Sequence, residues 1–397
     1  MLWKMLLFIS VFLIASNLDI YLARSDVPGM GFHVGSALSI ILAAVNYILY
    51  AKKARMERFG DIFFIYFIFI IWSSISTLLS LDIALSAITI ARYSIIMISM
   101  ICLASFIGSR PDFDRTIMAA LIAALAVVFL SVVIDVFRPG TFSKQLTRSA
   151  GLYINPNGAA QALILIFLSI NLLRKKEFID KTIIICYSMV SLGIFLTLSR
   201  SGIVLLVLLT LYLVYKFFSF RGAMYFVLAA CVVGMVGALA LYLGDVTQFQ
   251  NATTMNRLER LFSLEAYVDQ DDARVGLAKA YLRETVGIFG SGPGLSAGDE
   301  GLGAATHNTY IKAYWESGII AAFIFILFVI FPLKNNQSHQ ARIAIFMALA
   351  LGVFTNYNID NRLFYFLLLA VCATAPTKLH VSSRWTVRNP QFVQRHI

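Results

Sequence analysis

The sequence predicts an all-α, polytopic membrane protein with about twelve transmembrane helices and one long outer loop containing short helices. Of 397 residues, 59% are hydrophobic and only 13% charged, which leaves too little polar surface to cover a water-soluble core. The apolar residues also fall in runs of membrane length, broken once, between Gly244 and Gly318, by a polar stretch rich in glycine. Cys102, Cys186, Cys231 and Cys372 all lie inside apolar runs, so they read as small packing residues and not as a disulfide or zinc framework. The first run follows only Lys4 and has no small-residue cleavage site, so it is expected to be a retained span.

A helix needs about 20 apolar residues to cross the hydrocarbon, and twelve candidates occur, at roughly 5–22, 32–51, 61–80, 85–107, 116–137, 157–173, 182–198, 202–219, 222–243, 309–333, 341–356 and 363–378. The chain therefore divides into 1–243 (spans one to nine), 244–308 (outer loop), 309–378 (spans ten to twelve) and 379–397, a basic cytosolic tail. With the N-terminus inside, 19 of the 32 Lys and Arg fall in cytosolic loops and the tail, as the positive-inside rule expects. The outer loop holds five basic residues (Arg257, Arg260, Arg274, Lys279, Arg283) against nine acids, a net −4. Any anion there must be gripped by individually placed arginines and not by a general basic patch.

Within the loop, residues 271–289 read as a helix. Asp271 and Asp272 supply the cap and first-turn acids, and Val275, Ala278, Leu282 and Val286 recur at spacings of three and four. The glycines from Gly287 to Gly303 are too dense for an element interior, so that piece reads as a mobile connector leading to His307.

Three clusters at outer helix ends are candidates for chemistry. Asn155-Pro156-Asn157 opens the sixth span, where Pro156 suits a helix start and Asn155 a cap; capping alone is the plainer reading. Ser199-Arg200-Ser201-Gly202 lies where two spans meet with almost no loop. An arginine at that depth either snorkels to the interface or faces a cavity or partner, and Arg92, two turns into the fourth span, poses the same choice. His307-Asn308 begins the tenth span, with Tyr310, Tyr314, Trp315, Lys312 and Glu316 close by. Trp315 reads as part of an interfacial belt, whereas an imidazole near neutrality suits general-base work. Asp269-Gln270-Asp271-Asp272 is read as a solvated helix start. Gly290-Ser291-Gly292-Pro293-Gly294 is no nucleotide loop, having neither a preceding strand nor a Gly-Lys-Ser/Thr.

Taken in order, Asn155-Pro156-Asn157, Ser199-Arg200-Ser201-Gly202, Ala273-Arg274, Gly290-Ser291-Gly292-Pro293-Gly294, and His307-Asn308 followed by Glu316-Ser317-Gly318 resemble the O-antigen ligase and polymerase family of bacterial envelope glycosyltransferases. The resemblance implies a GT-C-like, metal-independent, inverting enzyme of the bacterial inner membrane that needs no cofactor. It moves a glycan from undecaprenyl diphosphate to an acceptor hydroxyl at the periplasmic face. It further implies His307, Arg274 and Arg200 as catalytic residues, the arginines on the diphosphate. Arg257 or Arg260 would be a further phosphate ligand, and Asn155, Asn157, Asn308, Glu316 and Arg92 would bind substrate. The implied partners are the carrier-linked glycan, an acceptor (lipid A core, or a second carrier-linked glycan for a polymerase), membrane lipid and other polysaccharide assembly proteins, with no nucleic acid. After Gly318 the chain has Ala321-Ala322 where the family often has glycine, a departure that still allows close helix packing. The competing class is a twelve-span transporter. Such proteins usually show half-to-half similarity and helices broken near the midplane, and the sequence gives no sign of either.

Overall fold

A computed structural model describes residues 2–26, 34–41, 59–107, 111–143, 148–174, 180–216, 276–283, 287–297, 308–355 and 358–375, which are helices and short connections with no strand among them. The span expected over 222–243, most of that over 32–51, and the basic tail lie outside the described residues.

Helix α1 (Leu2–Ser16) stops where Asn17 turns left-handed at φ 60°, and α2 (Leu18–Asp26) restarts beyond it. The single span expected over 5–22 is therefore two helices. Asparagine tolerates that backbone because its short side chain bonds locally. Helix α3 (34–41) follows, then α4 (Gly60–Leu78), α5 (Ile83–Ala104) and α6 (Pro111–Phe137). Next come α7 (Pro156–Leu173), α8 (Lys181–Leu196) and α9 (Arg200–Lys216). A short α10 (276–283) precedes α11 (Thr309–Ile330), α12 (His339–Phe354) and α13 (Arg362–Ala373). Side-chain caps at Asp82, Asp180, Ser338 and Asn361 start α5, α8, α12 and α13, each accepting a first-turn N–H.

Among the described residues, five helices are long and apolar enough to cross a bilayer: α4, α5, α6, α7, and α11 with its extension to Lys334. Apart from α7, which is almost wholly buried, these helices turn large apolar side chains outward. On α4, Phe64, Phe67, Ile71, Ile75 and Leu78 point outward while Ser73, Ser76 and Thr77 are buried. In water that distribution would be inverted; hydrocarbon selects it. Helix α13, with 12 residues, spans about 18 Å and is buried along its whole length.

The ends of these helices sort into two sets. At one end the start of α1 meets the start of α6 through Lys4–Asp112 (3.1 Å), and the end of α11 meets the start of α4 through Lys334–Asp61 (3.1 Å). At the other end α1 finishes beside the 3-10 turn Gly151–Tyr153, whose Tyr153 hydroxyl donates to the Ala15 carbonyl at 2.8 Å. Burial pushes that hydroxyl above the ordinary tyrosine range, so it stays a donor. Helix α7 runs between the ends as a central pillar, 94% buried, against α6, α8 and α13. The start of α7, the start of α9 and the start of α11 thus share the second end, which holds every described candidate except Arg92.

Candidate functional site

Two of the sequence motifs meet at the head of α7. Asn155 caps the helix, its side chain accepting from the Asn157 N–H, and Pro156 takes the first turn, as expected from sequence. The Asn157 side-chain oxygen accepts from the Ser199 hydroxyl at 2.9 Å and from an Arg148 guanidinium N–H at 3.1 Å. Ser199 in turn accepts from the Gly202 N–H (3.2 Å), fixing the start of α9, whose first residue is a half-buried Arg200. A Cβ on Gly202 would come within 2.7 Å of the Ala160 methyl, so the glycine lets α9 approach α7 this closely. The residues immediately before both motifs, Ile154 (φ 63°) and Leu198 (φ 50°), are bulky yet left-handed. Strain of about 1–3 kcal/mol at such positions persists only where the surroundings over-determine it.

Behind this mouth the polypeptide is pinned. The Asp135 carboxylate accepts backbone N–H groups of Phe142 (3.1 Å), Ser143 (3.3 Å) and Ala150 (2.9 Å), and Ser131 accepts from Leu152 (3.2 Å). One turn below Asn157, Gln161 donates to Asn358, and in the same 3-10 turn Asp360 receives Lys312 at 2.7 Å. Two residues on, Arg362 grips Asp19 with both prongs (2.7 and 2.6 Å), both side chains nearly fully buried, while the Gly35 N–H completes the carboxylate at 3.0 Å. This polar knot ties α2, α3, α7, α11 and α13 together at one level.

The third cluster is organised by a break in α11. Asn308 caps the helix by accepting from Tyr310 and Ile311 N–H, and Thr309 bonds the Thr355 carbonyl at 2.5 Å. Nine residues on, Gly318 adopts φ 84°, ψ 173° and interrupts the ladder, which strands carbonyls in a buried setting where each needs a donor. The Trp315 carbonyl takes the Ser291 N–H (2.9 Å), and the Glu316 carbonyl takes the Gly292 N–H (2.9 Å) and the Ser76 hydroxyl (3.0 Å). The Ser317 carbonyl takes the Trp72 indole N–H (2.9 Å). Glu316 is buried, and its carboxylate receives the Ser296 hydroxyl at 2.5 Å.

Several expectations are corrected here. The glycine-rich piece over 287–297 is not a mobile connector but a plug, docked by its backbone in the broken turn of α11 with Gly290 against Glu316 and Gly294 against Thr89. Of the helix expected over 271–289, residues 276–283 are helical as α10, residues 287–289 are instead part of a turn, and residues 271–275 and 284–286 lie outside the described set. Its buried side chain is Tyr281, edge-on to Trp315 at 5.3 Å, while Leu282, on the stripe read from sequence, is exposed. Trp315 is buried in that contact and forms no interfacial belt. The sequence shows no sign of a helix broken near the midplane, whereas α11 is broken at Gly318, nine residues from its start.

Arg92 stays apart: it shares the exposed face of α5 with Ile88 and Ile95, opposite Ser86, Thr89 and Tyr93. His307, Arg274, Arg257 and Arg260 lie outside the described residues. The sequence reading missed Arg148, Ser296, Asp360 and the Asp19–Arg362 pair. The signal for two of them was the polar run from Asn358 to Arg362, wedged between two predicted spans where charge is expensive. Compared with models of protein families and with curated proteins, the chain matches none of either.

Proposed function

We propose that the chain is an O-antigen ligase-like glycosyltransferase with twelve spans and a GT-C-like architecture. On this reading its active end faces the periplasm from the bacterial inner membrane and both termini are cytosolic. The acceptor hydroxyl oxygen attacks the anomeric carbon and inverts it. The bond from that carbon to the carrier phosphate breaks, and undecaprenyl diphosphate leaves with the electron pair. His307 accepts the hydroxyl proton or steadies the departing phosphate; Arg200 and Arg274 take the negative charge that develops, with Arg257 or Arg260 as a further ligand. Guanidinium groups held in place in a water-poor site act strongly on such charge and match phosphate oxygens two at a time. Asn157 and Asn308 frame the glycan, while Glu316, buried under the plug and bonded to Ser296, holds that wall in place instead of meeting substrate.

The observation that carries this reading is the hydrogen bond from Ser199 to Asn157. It joins two motifs 42 residues apart in the chain, at the helix ends where Asn308 and the plug also gather. The broken α11, which would otherwise favour a transporter, has its freed carbonyls filled by protein donors and not left open along a pathway.

The test is reconstitution of purified protein with carrier-linked glycan and either lipid A core or a second carrier-linked glycan, with and without chelator. Transfer to core supports the ligase, and growth of the carrier-linked chain supports the polymerase alternative. A requirement for added magnesium or manganese contradicts the metal-independent mechanism. Failure of both transfers, with substrate moved across the vesicle instead, assigns the chain to transport.

A further inference from the structure

We propose that Arg92 binds the phosphate of an anionic phospholipid, drawn from the bilayer leaflet at the second end, on a face of α5 separate from the mouth. The site needs no part of the glycosyltransferase reading: α5 packs on α4 and α13, whereas the mouth is built on α7 and α9.

Helix α4 starts at the first end, where Asp61 meets Lys334, so the turn into α5 lies at the second. That turn is apolar and open, with Leu78, Leu79, Leu81 and Ile83 all more than half exposed. Arg92 comes nine residues after Ile83, about 13–14 Å further along the axis. Its face continues with exposed Ile88, Ile95 and Ile98. The arginine thus sits at hydrocarbon depth on a surface turned to lipid, where a bare charge is expensive. Side chains lean toward the N-terminus of their helix, which in α5 carries the guanidinium back toward the headgroups of the second end.

Among the described residues, no hydrogen bond or ion pair holds the Arg92 side chain. The described carboxylates of this end are engaged elsewhere. Asp19 meets Arg362, Asp360 meets Lys312, Asp82 accepts from the Leu85 N–H, Asp135 from three backbone N–H groups, and Glu316 from the Ser296 hydroxyl. The anion that suits such a position brings its own acyl chains: phosphate oxygens meet the planar fork of donors, and the chains continue over Ile95 and Ile98. A zwitterionic headgroup carries a cation of its own and leaves the arginine uncompensated, so a net negative lipid is preferred. One turn nearer the second end, Thr89 is the seat of Gly294 in the plug, and Leu85 packs with Tyr281, Leu295 and Trp315. A lipid held at Arg92 therefore borders the seat of the plug.

The experiment places full-length protein in nanodiscs whose phosphatidylcholine is replaced stepwise by phosphatidylglycerol, reading retained lipid by native mass spectrometry and the thermal midpoint. Wild type keeps one phosphatidylglycerol in preference to phosphatidylcholine and melts higher as its fraction rises. R92L lowers that preference about ten- to hundredfold, the scale of losing charge-assisted hydrogen bonds, and loses the melting response. In pure phosphatidylcholine it melts no lower than wild type, because an uncompensated cation has left the lipid face; a merely damaged protein would melt lower in both lipids. R92K, which keeps the charge but not the fork, falls between. R138A, at an exposed arginine of the same end, behaves as wild type. The proposal is overturned if wild type shows no preference for phosphatidylglycerol or if R92L keeps it. It is also overturned if undecaprenyl diphosphate displaces the retained lipid, which gives the site to the carrier. A wild-type dimer that R92L dissociates, with no lipid retained, overturns it too and gives the face to a second copy. Should R92L not purify folded, R92Q is read in the same way.

Discussion

Replacing Gly318 by alanine isolates the socket that holds the glycine-rich plug. The residue sits at φ 84°, ψ 173°, a region essentially reserved for glycine, and a side chain there costs about 1–3 kcal/mol. The added methyl also overlaps the Ile288 carbonyl and reaches within 3.0 Å of the Phe289 nitrogen, so the plug has to move. Moving it breaks the bonds from Ser291 and Gly292 to the Trp315 and Glu316 carbonyls, at about 0.5–1.5 kcal/mol each. The total is on the order of 4 kcal/mol, close to a thousandfold in the docking equilibrium. Hydrogen exchange at 290–297 and the thermal midpoint in detergent are the measurements. G318A should exchange there far faster than wild type and melt lower, whereas G287A, whose methyl meets nothing within 4 Å, should match wild type. Identical exchange in G318A and G287A would show that the break in α11 does not hold the plug.

Three other outcomes are expected. R362M leaves a buried Asp19 carboxylate uncompensated and should cost about 3–5 kcal/mol, whereas the double change D19L/R362M should recover most of that; a double variant no better than the single one in folded yield refutes the account. G202A should destabilise by about 1–3 kcal/mol through overpacking on Ala160, and adding A160G should restore the midpoint if that contact is the cause. R274A and H307A should each abolish glycan transfer at normal membrane abundance; retained transfer removes the residue concerned from the mechanism.

Local rules carried the sequence reading a long way at the head of α7. Asn155, Pro156 and Asn157 announce a helix start, and the structure uses them so. What pattern did not reveal is that Asn157 turns outward to serve a different helix, because that depends on which chain segment arrives beside it. Apolar counting likewise merged α1 and α2, since one asparagine and one aspartate barely lower a twenty-residue average, yet Asn17 turns the backbone and Asp19 seeks Arg362. The glycines from 287 onward looked loose because glycine is costly to order. Here positive φ at Gly290, Gly292 and Gly294 and the absence of side chains let backbone donors reach carbonyls that any larger residue would block. Arg148 lacked a motif altogether; only the fold brings it to Asn157.

The burial of α7 bears on how the protein is assembled. Of the five long helices it is the least apolar, and it carries Gln161 and Asn171 buried against protein and a half-buried Asn157 at its head. On leaving the translocon such a segment has a weak claim on lipid alone and depends on neighbours to shelter its amides. Helix α6, directly upstream and the most apolar of the five, is the natural chaperone for that step. Weakening α6 should therefore mis-insert α7 during synthesis, well before any defect reaches the finished protein.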